Sequence, residues 1–179
     1  MFNKVQSFDQ RVADRITAIH RPVINRIMII STYLGNAALI WWLTLCVPFV
    51  ISKKYRNIGI ILTLSLGVTY VLGEILIKNI VGRMRPSSKL NDDEVLINRP
   101  KDHSFPSGHT ASSFTAFTVT MLTCPAFIWI PVLIGACIIS FSRIYLRVHY
   151  VSDVLAGVVL GMTSGWCCVM LLSKVFPIN

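Results

Sequence analysis

Five apolar runs, roughly Ile27–Ile51, Ile58–Ile77, Ala111–Cys124, Phe127–Phe141 and Val151–Leu172, constrain this chain more than any other feature. About 20 predominantly apolar residues cross a bilayer as helix, and backbone in lipid must satisfy its own hydrogen bonds. The third and fourth runs reach that length only if Ser107–Ala111 and Ser142–Tyr145 extend them as helix. Of the residues, 54% are hydrophobic and 14% charged; soluble domains carry about a quarter charged residues, so polar surface is too scarce to cover a water-facing globule. The 179 residues fit a single domain, 1–179. The expected fold is all-α, a polytopic membrane helical bundle of five transmembrane helices plus an N-terminal helix.

That first helix, within residues 1–22, differs in kind. Phe2, Val5, Phe8, Val12, Ile16 and Ile19 recur every three or four residues, while Lys4, Asp9, Arg11, Asp14 and Arg15 occupy other faces. The pattern predicts an amphipathic helix that lies in the membrane interface or packs on the protein. The formal net charge of +9 is spread without a basic run interleaved with aromatics, which excludes a nucleic-acid partner and fits anionic lipid headgroups. The five cysteines fall in or beside apolar runs and none has metal-ligand spacing with histidine. They read as small packing residues. No pattern sets an oligomeric state.

Three polar islands lie at the ends of the apolar runs. They are Lys78 with Arg85-Pro86, then Pro106-Ser107-Gly108-His109, then Ser142-Arg143 with His149 and Asp153. With five crossings, the turns at Lys53 and Cys124 share one membrane face with the C-terminus. The 82–105 loop, the 143–150 turn and the N-terminal helix share the other. Span parity alone brings the islands to one surface.

Each island suits a phosphate. Lys78 and Arg85 are two cations at the end of the second run, and Arg offers a planar bidentate fork. Pro86 is expected to stop the helix after Arg85. Glu74, four residues before Lys78, would pair with it on one helix face and orient it. Arg83 is a weaker phosphate candidate. Pro106 fits an early helical position, and Ser107 and Gly108 would leave N–H groups free at a helix start, where the dipole favours an anion. His109 then sits in the first turn, able to protonate a leaving group. His149 and Asp153, four apart, would share a helix face, with Asp accepting from one ring nitrogen and leaving the other as nucleophile. Arg143 adds a cation and Ser142 a possible donor, while Arg147 reads as an interface marker. The Asn91-Asp92-Asp93-Glu94 run reads as a solvated loop rather than a hard-cation site, and His103 as loop structure.

The spacing Lys78-x6-Arg85-Pro86, Pro106-Ser107-Gly108-His109, Ser142-Arg143-x5-His149-x3-Asp153 resembles the three-part signature of the type 2 phosphatidic acid phosphatase superfamily, with every fixed position filled. The signature covers residues 78–153. The resemblance implies a metal-independent lipid phosphate phosphatase that needs no cofactor and acts on a lipid phosphate in the membrane. It implies that Lys78, Arg85 and Arg143 bind phosphate oxygens with Ser107 and the Gly108 backbone, that His149 forms a phosphohistidine oriented by Asp153, and that His109 protonates the leaving oxygen. It also implies a site on the outer face of a cell membrane. A lipid phosphotransferase using the same intermediate and a non-catalytic binder of anionic lipid are the alternatives. Many membrane members of that superfamily carry six spans, against five runs here.

Overall fold

In a computed structural model that describes residues 2–178, every regular element is helical. Helix α1 (Phe2–Arg15) leads through a 3-10 turn, Ile16–Ile19, into α2 (Pro22–Gly35), α3 (Leu39–Trp41) and α4 (Val47–Ile51). After a short turn come α5 (Arg56–Tyr70) and α6 (Lys78–Val81), joined by a π-helical stretch at Val71–Ile77. The long 82–107 loop precedes α7 (Gly108–Thr123), α8 (Ala126–Tyr145) and α9 (Val151–Leu172).

Among the described residues, four stretches are long and apolar enough to cross a bilayer as helix: Pro22–Ile51, Arg56–Lys89, Ala126–Tyr145 and Val151–Leu172. Large apolar side chains such as Val23, Leu43, Phe127, Val159 and Leu171 face outward, the surface that lipid requires. The third predicted span differs. Helix α7 has 16 residues, about 24 Å at 1.5 Å per residue, and packs against α9, α8 and α5. Nearly all its positions from Thr110 to Thr120 are buried. Surrounded by protein, it can carry hydroxyls that lipid would not tolerate. Thr115, Thr118 and Thr120 donate to carbonyls three or four residues back, and Thr69 links Thr115 (2.8 Å) to Ser164 (2.7 Å) across three helices.

Close approach of α7 and α9 depends on Gly157, Gly161 and Gly165. A Cβ on Gly157 would lie 2.7 Å from the Ser107 carbonyl oxygen, and one on Gly165 would lie 3.1 Å from Thr118 Cβ. Small residues at four-residue spacing let membrane helices meet backbone to backbone.

The first apolar run is not one straight helix. Gly35 and Asn36 are poor helix formers, and Ala37 (φ 47) and Ala38 (φ 57) turn left-handed, a conformation that costs L-residues roughly 1–2 kcal/mol each. The second run also departs from expectation: its helix ends at Val81, where Gly82 takes φ 60, so Gly82 and not Pro86 terminates it. Arg85 is therefore extended backbone, free to bend across the site.

Helix α1 docks on the same end of the bundle as the three islands. Its Asp9 is buried, accepting from Arg83 Nη2 (2.8 Å), the Ser152 N–H (3.1 Å) and the Ser152 hydroxyl. Val5 and Phe8 remain exposed, so the helix both packs on the protein and keeps an apolar strip outward. Arg83 Nη1 donates to Asp153 Oδ1 at 2.5 Å, and its guanidinium lies 4.2 Å over the Tyr150 ring. One cation thus separates two carboxylates whose side chains are 0% exposed. Removing one member of a buried ion pair costs about 3–5 kcal/mol. Arg83→Ala is expected to lower stability by about that amount, read by thermal unfolding in detergent, and Asp9→Asn by less, because Arg83 keeps Asp153.

Candidate active site

Helix ends and loops, rather than helix faces, assemble the site. Lys78 starts α6 just beyond the π-helical stretch; its Nζ donates to Glu74 Oε2 at 2.6 Å, the expected pairing, and also to Asp102. Gly108 starts α7 so close to Glu74 that a Cβ there would meet the carboxylate. The turn after α8 brings Arg143 and His149 together: the N–H groups of Val148 (3.2 Å) and His149 (3.1 Å) both donate to the Arg143 carbonyl, while Arg147 takes φ 56.

His149 is wholly buried and precedes α9 instead of lying on it. Its Nδ1 is 2.6 Å from the Ser104 carbonyl oxygen. A carbonyl can only accept, so Nδ1 carries the proton and Nε2 keeps its lone pair, 3.0 Å from Arg85 Nη1. Asp153 Oδ2 lies 3.7 Å from Nδ1, beyond hydrogen-bonding reach. The expected direct Asp–His hydrogen bond is replaced by the Ser104 carbonyl. Asp153 instead accepts from the Tyr150 N–H (2.9 Å) and from Arg83, fixing the start of α9 beside His149. Arg83 is spent on that role and does not line the cavity.

His109 Nε2 lies 3.1 Å from the Thr32 carbonyl oxygen and 2.9 Å from Asn36 Oδ1; by the same reasoning Nε2 carries its proton. Arg143 Nη1 reaches Thr32 Oγ1 and lies 3.3 Å from His109 Nε2. Its buried Nε finds no acceptor among the described residues. The break after α2 is what offers Thr32 and Asn36 to the site.

Lys78, Arg85, Gly108, His109, Arg143, His149 and Glu74 line one cavity of about 720 Å³. Other predicted residues stand behind it. Ser107 is fully buried, its N–H donating to the Asp153 carbonyl (3.0 Å) and its hydroxyl accepting from Thr110 (3.0 Å), which commits the N–H and leaves the hydroxyl proton available to donate. Ser142 donates to Ile139 O at 2.6 Å within its own helix. Pro106 precedes α7 and Pro86 opens a 3-10 turn. Arg147 is buried and pairs with Asp14 of α1 at 3.4 Å, so it anchors α1 rather than marking the interface. The acidic run forms one 3-10 turn closed by Asn91 and Glu94, with Asp92 pairing to Arg99.

Burial, and then the positive charges of Arg143, Arg85 and Lys78, lower the His149 pKa well below its ordinary 6.5. The ring therefore stays neutral as pH falls through that value, and its lone pair is retained. In the kcat/KM profile, corrected for substrate ionisation, no acid-side loss from His149 is expected between about pH 7 and 6, and the acid limb falls below that range. An acid limb at or above the ordinary histidine value contradicts this.

The PAP2 superfamily model matches residues 58–177. An undecaprenyl-diphosphatase of Sulfolobus acidocaldarius is 35% identical over 138 residues, 77% of this chain and 66% of that protein; the chain thus spans just under two thirds of that relative. Phosphatidylglycerophosphatase B of Bacillus subtilis is 27% identical over 173 residues, covering 89% and 81% of the two chains. The crystal structure of a transmembrane PAP2-type phosphatidylglycerolphosphate phosphatase from Bacillus subtilis superposes with a TM-score of 0.80 at 25% identity, covering 99% and 90%. The family match extends over more than half the sequence, the likeness of fold over nearly all of it, and the cavity is built from the residues of the three islands: this multi-pass membrane protein belongs to the PAP2 superfamily.

Proposed function

We propose that the chain is an integral-membrane lipid phosphatase that hydrolyses a phosphomonoester or diphosphate on a lipid through a phosphohistidine at His149. The carrying observation is that one cavity has two chemistries. Its lining joins Lys78, Arg85, Arg143 and both histidines to the apolar Ala37, Ala38, Trp42 and Leu66 of the α2–α3 break and α5. An amphiphile with a phosphate head matches both. Relatives named for undecaprenyl diphosphate and phosphatidylglycerol phosphate support those lipid classes, with phosphatidic acid as a third.

In this reading Lys78, Arg85 and Arg143 hold the equatorial phosphate oxygens and stabilise their charge. His149 Nε2 attacks phosphorus, the bond to the lipid oxygen breaks, and that oxygen takes the Nε2 proton of His109, which acts as the imidazolium in the substrate complex and is left as the neutral ring. The leaving group is an alcohol, or a lipid monophosphate from a diphosphate. His109 then accepts a proton from water as the water oxygen attacks phosphorus; the P–N bond breaks and His149 regains its lone pair. No metal is required by this sequence of steps.

The test is phosphate release by the purified protein in detergent across mono- and diphosphate lipids, with and without chelator. Release without an added acceptor, unaltered by chelator, supports the proposal; phosphate appearing only on a second lipid points to a transferase, and no release contradicts catalysis. Gly67 lines the cavity, and a Cβ there meets nothing within 4 Å. Filling that space with Gly67→Trp is expected to raise KM for a long-chain substrate about tenfold, as displacing two methylenes costs roughly 1.6 kcal/mol, and to leave a short water-soluble phosphate ester nearly unaffected. In this reading the site faces outward; cysteine accessibility at Met84 and Lys53, on opposite ends of the bundle, reads the orientation.

A further inference from the structure

Asp102 is used by no step above, yet it touches two of the three phosphate-binding cations. It lies in the 82–107 loop, and its side chain is 48% exposed, over cations exposed by only 5–6%. Its carboxylate accepts from Lys78 Nζ and, through Oδ1, from Arg85 Nη2 at 3.0 Å, while its backbone oxygen accepts from Arg85 Nε at 2.9 Å. Burial alone would raise its pKa, but the Lys78 hydrogen bond and the charges of Arg85 and Lys78 outweigh that and bring it down to about 2. The group is an anion at any physiological pH.

The donor inventory of Arg85 makes this consequential. A guanidinium has five N–H donors. One serves the Asp102 carbonyl, one the Asp102 carboxylate, one the His103 carbonyl, one the Val148 carbonyl, and the fifth points at His149 Nε2. Every donor is engaged. Lys78 divides its three donors with Glu74 and Asp102 already on two. Attack by His149 Nε2 itself releases the Arg85 Nη1 donor that rests on its lone pair; a second Arg85 donor, for a bidentate grip on the phosphate that leaves the loop backbone intact, comes only from Nη2 in place of the Asp102 carboxylate. That carboxylate reaches the pair from the solvent side of the cavity, where an exchange can occur.

We infer that Asp102 is a resident counter-anion of the phosphate cradle, displaced from Lys78 and Arg85 by the substrate phosphate and returning to displace the product. Three cations face two carboxylates, Glu74 and Asp102; withdrawal of Asp102 leaves three facing one, a better match to a phosphate of nearly two negative charges. The exchange sets specificity. A lipid phosphate offsets the broken ion pair with the contacts of its apolar tail, whereas free inorganic phosphate cannot. Asp102 thus favours lipid over inorganic phosphate and hastens product departure. This rests on the phosphatase reading of the site.

The test is direct binding of inorganic phosphate, and separately orthovanadate, to the full chain in detergent, by calorimetry and by the ligand-dependent rise in Tm. Asp102→Asn is expected to tighten phosphate binding at least tenfold, with Asp102→Glu within about threefold of wild type. Asp102→Ser serves the same purpose as Asn if that variant unfolds. A residue that merely props Lys78 and Arg85 in place predicts the opposite sign: unchanged or weaker phosphate binding in both neutral variants overturns the inference. Binding is read without turnover, so the two proposals fail separately. Tighter phosphate binding by Asn with no lipid hydrolysis by wild type would overturn the phosphatase reading, while hydrolysis with unaltered phosphate affinity overturns only the role of Asp102.

Discussion

Replacing His149 by Gln is expected to reduce phosphate release by more than about 10⁴-fold while the protein remains folded. Loss of the nucleophile in a covalently catalysing enzyme costs on the order of 10⁶ in kcat, and the cradle of Lys78, Arg85 and Arg143 can recover only part of it. The geometry makes the ring specific. Nδ1–H is committed to the Ser104 carbonyl at 2.6 Å, so the lone pair of Nε2 is directed beside Arg85 at 3.0 Å. A glutamine side chain can still donate to Ser104 but offers no comparable nucleophile. Single-turnover phosphate release is the measurement; a variant within about 100-fold of wild type shows that the nucleophile lies elsewhere.

Arg85→Lys is expected to lower kcat/KM by about 10²–10³, the loss typical of removing one preorganised donor to a developing oxyanion. The change preserves charge and fails on geometry. Arg85 reaches the carbonyls of Asp102, His103 and Val148 as well as His149, so it ties the two catalytic loops together. An ammonium offers three donors at one point and leaves buried carbonyls unpaired. Steady-state kinetics against the same lipid phosphate decide it, and a loss under tenfold assigns the oxyanion contacts to Lys78 and Arg143 instead.

Much of the fold was legible because lipid-facing helices write their position in uninterrupted apolar runs. Where a helix does not face lipid, the signal weakens. Helix α7 looks too short and too rich in threonine for a span, since other helices surround it and its hydroxyls bond back along its own turns. The four-residue spacing of Gly157, Gly161 and Gly165 is the sequence trace of the close packing of α9 on α7, and it shows its meaning only once the two backbones are seen to meet. The left-handed break at Ala37 and Ala38 has no such trace, as alanine is the strongest helix former and disfavours that conformation.

The site shows the same division. Lys78 with Glu74, and Arg85, His109, Arg143 and His149 around one cavity, follow from residue type, spacing and span parity. What holds them does not. The partner of His149 is the backbone oxygen of Ser104, and a carbonyl has no sequence signature. Asp153, four residues from His149, suggested a helical pair, but His149 lies outside α9 and the carboxylate turns to Arg83 and the helix start. Asp102 had a faint signal, an acid four residues before Pro106 in a loop that must return to the cations. Asn36 had a clearer one, an amide inside an apolar run. Asp9 became informative only when α1 was seen to seat it on Arg83 and Ser152.

The central claim is a covalent phosphoryl group on His149. The direct measurement is rapid acid-free quenching of the wild-type protein with a ³²P-labelled lipid phosphate, followed by peptide mass spectrometry under alkaline conditions. The account predicts an acid-labile, base-stable phosphoryl group on the peptide containing His149, forming and decaying no slower than turnover and absent from His149→Gln. Turnover with no label on the protein, or label on His109 instead, contradicts it.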